Sequence, residues 1–507
     1  MTQPITYSGW QSEKSGFMGR LSGPGFALVA VACALLLTPV NLSSWAAAAV
    51  CVPLALLLLL LAFGRVSGLS ADEWILLAVR HQIAVARKQN IFFSGPFAPR
   101  SARTGHQPTD LPGTLARLRI LEAPDGLGGL LGVAHDPVAG TYTAVARVSF
   151  PGLALVDSDK QAARVSSWAA LMRTFCTEDS PVTRLSVHQR CLPDDGAALR
   201  SWTAQHITAD APPAAVSALA DVMEGAGPAA TSRETYLSIT LSAARARLAI
   251  KGAGGGQVGA AAVLVRELHA LGGALSTASL QVIEWLSPRG LAQTVRTAYD
   301  PDAQVALATA NAAARTPGWE GTEEGVDPDL AGPAAAETGW GTYRHDGAWT
   351  VTYQVRTWPQ AQVYATFLQP LLRPRRNARR SMSLVYEPLG PRRARQELAK
   401  EKSKRSSARY LRAKTGRDES EDERREVNLA RTQDMARASG QGVVRMTAVL
   451  SVTVTDLEEL ETACAEMQAD AAAAGLELRR MWGAQDVGFA AGALPLGQGL
   501  PDRRTGF

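Results

Sequence analysis

Between Phe26 and Phe63 the chain carries no Asp, Glu, Lys or Arg. The stretch reads FALVAVACALLLTPV, then NLSS, then WAAAAVCVPLALLLLLLAF. Apolar runs of this length must be covered by protein or by lipid, which restricts the fold more than anything else in the sequence. A bilayer core takes about 17–25 mainly apolar residues per helix. The first run reaches about 17 once Gly25 and Leu42 are included, and the second is comfortably long. The Asn41–Ser44 turn between them suits only a tight helical hairpin. Pro39 and Pro53 fall inside the runs, where membrane helices tolerate proline better than soluble ones do. A signal peptide has one short apolar core and a cleavage site; here two runs flank a turn. The sequence therefore predicts a transmembrane hairpin over about 25–63.

Basic residues are retained on the cytoplasmic side of a membrane. Lys14 and Arg20 precede the hairpin, Arg65, Arg80, Arg87 and Lys88 follow it, and the turn is uncharged. This pattern predicts a multi-pass protein of the cell membrane with both termini and the soluble bulk in the cytoplasm. The net charge of +5 over 507 residues suits an anionic membrane surface or a nucleic-acid-handling neighbour. Five cysteines lack metal-ligand spacing, and cytosolic disulfides rarely persist, so no metal and no disulfide is expected.

Taken in order, residues 1–92 hold a polar lead, the hairpin and a helix opening at Ser70. In that helix Trp74, Leu77, Ala78, Ile83 and Ala84 collect on one side, with Arg80, Arg87 and Lys88 on the other, as in a helix lying at a membrane surface. Residues 93–140 read as a linker or extended arm. Alternating strand and helix patterns over 141–316 predict a first α/β lobe, including a strand at Val182–Gln189 and a helix at Ala260–Leu271. Residues 317–338 read as a linker. A second α/β lobe follows over 339–507, with a helix at Gln360–Leu371 and a charged helical arm inserted at 391–439. So polar a pair of helices suits a projection that meets a partner. The fold class expected is α+β.

Signals for chemistry are sparse. Gly254-x-Gly256-x-x-Gly259 follows a strand pattern and opens a helix pattern, as a dinucleotide fingerprint does. No acidic residue closes a second strand about 20 positions on, and Lys251–Gly256 reads equally as a flexible loop. No G-x-x-x-x-G-K-[ST], G-x-S-x-G or H-E-x-x-H occurs in the chain. His345-Asp346 reads as a surface histidine beside a turn-forming Asp-Gly. Arg373, Arg375, Arg376, Arg379 and Arg380 form a basic cluster that suits phosphates, an acidic partner or plain solvation. Aromatics are few around it, which argues against single-strand stacking, and no direct sequence-specific nucleic acid binding is expected.

Several short motifs together resemble a family of membrane proteins encoded with actinobacterial conjugation and type IV secretion machinery. They are Ser94-Gly-Pro-Phe97, Asp110-Leu-Pro-Gly113, His135 to Tyr142, Ala298-Tyr-Asp-Pro301, Trp340 to Gly347, Trp358-Pro359, Trp482 to Asp486, and Leu494-Pro-Leu-Gly497. The front resembles a PrgI-type two-span protein, and the remainder is similar to the non-motor N-terminal region of the conjugation ATPase. The resemblance implies a non-enzymatic scaffold that docks a separate motor ATPase and other channel subunits, in one copy or as a homo-oligomer. No Walker A or Walker B follows Gly497, so no catalytic, cofactor-binding or metal residue is carried over. Two other readings stand beside it. One is a two-span core component of type VII secretion; the other is a membrane-tethered nucleotide-dependent enzyme using Gly254–Gly259.

Overall fold

The computed structural model describes residues 7, 23–42, 45–66, 69–94, 111–150, 152, 156–193, 202–203, 206–208, 210, 211–226, 231–315, 321, 323–375, 378–400, 403, 435 and 442–500. The lead apart from Tyr7, Gly95–Asp110 of the expected extended arm, and nearly all of the charged arm beyond residue 400 lie outside the described residues.

Two apolar helices open the described chain, α1 (Gly23–Leu42) and α2 (Trp45–Phe63). The two-residue strands β1 (Arg65–Val66) and β2 (Leu69–Ser70) turn the chain into α3 (Ala71–Ala86). Ser70 occupies the N-cap, and Asp72 and Glu73 fill the first turn, where the helix dipole favours acids. The chain then enters the sheet through β3 (Ile91–Phe93).

The first half of the sheet holds β4 (Arg119–Pro124), β5 (Leu130–Asp136), β6 (Thr141–Ser149), β7 (Val182–Pro193), β8 (Thr231–Ser242) and β9 (Gln281–Trp285). Helix α4 (Ser158–Thr174) links β6 to β7, and α5 (Pro213–Ala226) lies between β7 and β8. Helices α6 (Arg247–Gly252) and α7 (Gly256–Thr277) lead to β9, and α8 (Pro288–Tyr299) and α9 (Ala303–Ala314) follow it. The second half holds β10 (Ala335–Thr338), β11 (Tyr343–His345), β12 (Ala348–Thr357), β13 (Arg379–Leu389), β14 (Val443–Val454) and β15 (Glu477–Arg480). Helix α10 (Leu460–Ala473) precedes β15, and α11 (Gln485–Gly492) follows it.

Strands β6, β7, β8 and β9 are sequential in the chain but lie in the order β9-β6-β8-β7, all neighbours antiparallel. With α4 and α7 this is the ferredoxin-like β-α-β-β-α-β arrangement. The second half repeats it as β15-β12-β14-β13 with α10. Where the first half has α4, the second has only a 3-10 turn at Gln369–Leu372, not the helix expected over Gln360–Leu371. Pro370 denies that segment an N–H in its last turn.

The halves meet where β7 pairs with β13, from Arg380↔Cys191 to Tyr386↔Leu185. One antiparallel sheet of thirteen strands therefore runs through both expected lobes. Residues expected as a linker at 317–338 supply β10, which pairs with β11 and β3. The α+β class holds, while the alternating pattern that suggested layered α/β lobes has another origin. Each crossover leaves a gap that an antiparallel strand fills.

Both sheet faces are covered. On one face Leu185, Leu237 and Ile239 pack with α4 and α7, and Val351, Leu450 and Val452 pack with α10. On the other, Val145 and Tyr236 pack with Leu291 and Val295 of α8 and Phe489 of α11. Helix α11 lies directly on a Ser/Thr surface. A Cβ on Gly488 would stand 2.9 Å from Thr352, and one on Gly492 2.6 Å from the Ser451 hydroxyl. The small residues of Gly488-Phe-Ala-Ala-Gly492 thus permit the approach. Leu389 pairs with Val443, so the ends of the charged arm are strand neighbours.

Candidate membrane and partner-docking surface

Helices α1 and α2 pack on each other through small residues: Ala32 and Ala55 are 0% exposed and Ala62 3%. Their large side chains point away, Leu37 being 62% exposed, Val50 67% and Leu60 68%. Small residues at the contact and bulky apolar ones outside is the pattern of helices paired in lipid. The Thr38 hydroxyl donates to Leu35 O at 2.7 Å, so this polar group is satisfied within its own helix. The apolar described parts, Gly25–Pro39 and Ala48–Phe63, are shorter than the about 17–25 residues a span takes.

Among the described residues one helix, α7, is long and apolar enough to cross a membrane. It carries Arg266, Glu267 and His269, and it buries Val263, Leu264, Leu268, Leu271 and Leu275 against the sheet. Its apolar stripe has a protein partner, whereas Leu37, Val50 and Leu60 on α1 and α2 stay exposed.

Helix α3 sits between hairpin and sheet. Trp74 meets Trp340 edge-on at 5.5 Å, and His81 lies 5.5 Å from the same ring. Trp340 stacks with Trp482 at 6.2 Å, and the Arg480 guanidinium lies over Trp482 at 4.9 Å. The glycines beside the two tryptophans allow this, since a Cβ on Gly341 would strike the Trp482 ring and one on Gly483 the Trp340 ring. The Trp-Gly pairs quoted among the motifs thus form the seat of α3. On its other side Ile75, Leu76, Val79 and Ile83 are exposed, beside exposed Arg80, Arg87 and Lys88. Ile83 belongs to this open stripe and not to the Trp74 side expected from the sequence. The distinction was hidden because both sides of α3 carry apolar residues.

His345 is not at the surface. It is 0% exposed among Tyr299, Tyr343 and Phe489. One ring nitrogen pairs with Tyr299 O, and Nε2 lies 2.7 Å from the Thr350 hydroxyl, itself 2.7 Å from that of Thr453. The Asp346 turn is as expected, with φ 44°. Its carboxylate accepts from Ala334 N and Ala335 N and lies 3.3 Å from Arg296. Burial drives the His345 pKa down to about 4. A histidine with a folded pKa below its unfolded value of about 6.5 adds stability above pH 6.5, and that stability fades as pH falls toward 4. Burial raises the pKa of nearby Asp346 and Asp486, an opposite trend that a variant comparison removes. His345→Gln is expected to flatten the rise of the urea-unfolding free energy between pH 4 and 6.5 relative to wild type.

Of the basic cluster, Arg380 is fully buried and Arg375 and Arg379 are half-buried. Arg380 is 1% exposed and bonds Asp470 at 2.5 Å; Arg375 reaches Asp470 at 3.2 Å and Glu466 at 3.1 Å. Arg379 donates to Thr297 O and Pro301 O. Arg373 is exposed, and Arg376 lies outside the described residues. Across the seam Arg190 pairs with Glu234 and Tyr236 under α8. Charges inside strand patterns, at Arg190 and Glu234, were the available signal for this network.

Gly254 and Gly256, with Gly255 between them, take positive φ and form a turn between two helices, α6 and α7. Gly259 packs against Ile250 O. A dinucleotide fingerprint joins a strand directly to its helix; here β8 ends at Ser242 and α6 intervenes. Among the described residues no group of three or more His, Cys, Asp or Glu stands close enough to hold a metal. Neither a family model nor a curated protein matches the chain.

Proposed function

We propose that the chain is a membrane-anchored scaffold of a conjugative, type IV-like secretion machine, docking a separate motor ATPase at the inner face of the membrane. The observation that carries the membrane part is the outward apolar surface of α1 and α2, continued by the open stripe of α3. In this reading α1 and α2 both span, α3 lies at the headgroups with Arg80, Arg87 and Lys88 toward anionic lipid, and the sheet hangs in the cytoplasm. The machine is named by the resemblance of the short motifs. Many of their described residues, among them Leu111, Tyr299, Tyr343 and Leu494, join in one core that covers the sheet. Their role is to hold the scaffold together, so the reading assigns the chain no catalytic chemistry.

The charged arm at 391–439 is the docking element in this reading. Its ends leave from paired Leu389 and Val443, and changing a loop's length costs only about 0.6 kcal/mol per doubling. Replacing 391–439 by a short Gly/Ser linker is expected to leave the melting curve nearly unchanged and to abolish co-purification with the motor ATPase. An unfolded variant would place the arm in the core; a motor that still binds would remove its docking role.

A further inference from the structure

We propose that the groove between the Pro359–Pro374 segment and the end of α10 is a binding site for an extended peptide, and that its ligand is the chain's own N-terminal lead. The groove has a volume of about 710 Å³, with Pro359, Val363, Tyr364, Phe367, Leu372 and Gly475 among its lining. Val363 lies outside the sheet strands, yet it forms an antiparallel bridge with Tyr7. Tyr7 N donates to Val363 O at 2.7 Å, and Val363 N donates to Tyr7 O at 2.9 Å. Main-chain bonding of this kind holds an extended peptide, while alternate side chains provide selectivity. On the described part of the lead that side chain is Tyr7's, which is half-buried.

Residues 8–22 can extend about 50 Å before α1 begins at Gly23. The clasp itself does not depend on the membrane reading. Combined with that reading, it puts the lead on the same side of the bilayer as the sheet, so that both flanks of the hairpin are fixed to one body.

The test uses the full chain carrying Tyr7→Cys with Val363→Cys, or Tyr7→Cys with the exposed Leu248→Cys as control. Directly bonded antiparallel partners have Cα atoms about 5.5 Å apart, within the about 4.4–6.8 Å a disulfide accepts. Under mild oxidation the Val363 pair should close at least about tenfold faster than the Leu248 pair, within one chain when isotopically heavy and light chains are mixed. Equal rates would overturn the site, and heavy–light links would overturn the intramolecular clasp. A photo-crosslinker at position 7 needs no cysteine and should map to 359–374 or 472–475. Mapping elsewhere, with an unchanged melting temperature, would also overturn the proposal.

Discussion

Asp470→Ala is expected to destabilise the sheet by about 3–5 kcal/mol, because it leaves a buried guanidinium unpaired. Arg380 is 1% exposed on β13, and Asp470 on α10 is the acid bonded to its Nη1 at 2.5 Å. Burial disfavours the Asp470 carboxylate, but Arg380 and Arg375 more than offset that and hold its pKa below the ordinary value. Glu466 lies 3.6 Å from Arg380 and is 40% exposed, too solvated to replace Asp470. The loss is large against a domain's roughly 5–15 kcal/mol. Removing both charges together, as Arg380→Met with Asp470→Leu, should recover much of it, since no unpaired ion then remains. Urea unfolding measures all three variants. A single variant within about 0.5 kcal/mol of wild type would put the pair among surface-like substitutions.

The second large effect belongs to the hairpin. Val31→Arg with Leu56→Arg is expected to release the chain from carbonate-washed membranes. Both side chains are exposed and sit near the middles of α1 and α2. An arginine at mid-bilayer costs about 2.5–3.5 kcal/mol. Two such changes together disfavour insertion by about four to five powers of ten. On a surface facing water the same substitutions would be nearly neutral, within about 0.5 kcal/mol. Retention equal to wild type would mean that α1 and α2 do not face lipid at these positions.

Sequence patterning located most strands well because the sheet buries both faces. The strand expected at Val182–Gln189 is found and continues to Pro193. The helix expected at Ala260–Leu271 extends to Gly256 and Thr277 because Gly255 supplies a positive-φ start and Ser279 turns the chain out. Joining of the halves was not legible. It depends on pairing β7 with β13, about 200 residues apart, and pairing of distant strands leaves no local period. His345 was misread for a related reason. A His-Asp-Gly turn is polar locally, and its burial comes from Tyr299 and Phe489, which are distant in sequence. Arg380 misled in the same way, since its acid partner Asp470 lies on α10.

In the proposed function the hairpin crosses the membrane twice and returns the chain to the cytoplasm. Reporter fusions test this most directly, using one reporter active only outside the cell and another active only in the cytosol. They are placed after residue 20, within the Asn41–Ser44 turn, and after Phe507. Cytosolic reporting is expected at residue 20, external reporting from the turn, and cytosolic reporting at Phe507. External reporting from residue 20 or from Phe507, or cytosolic reporting from the turn, would contradict it.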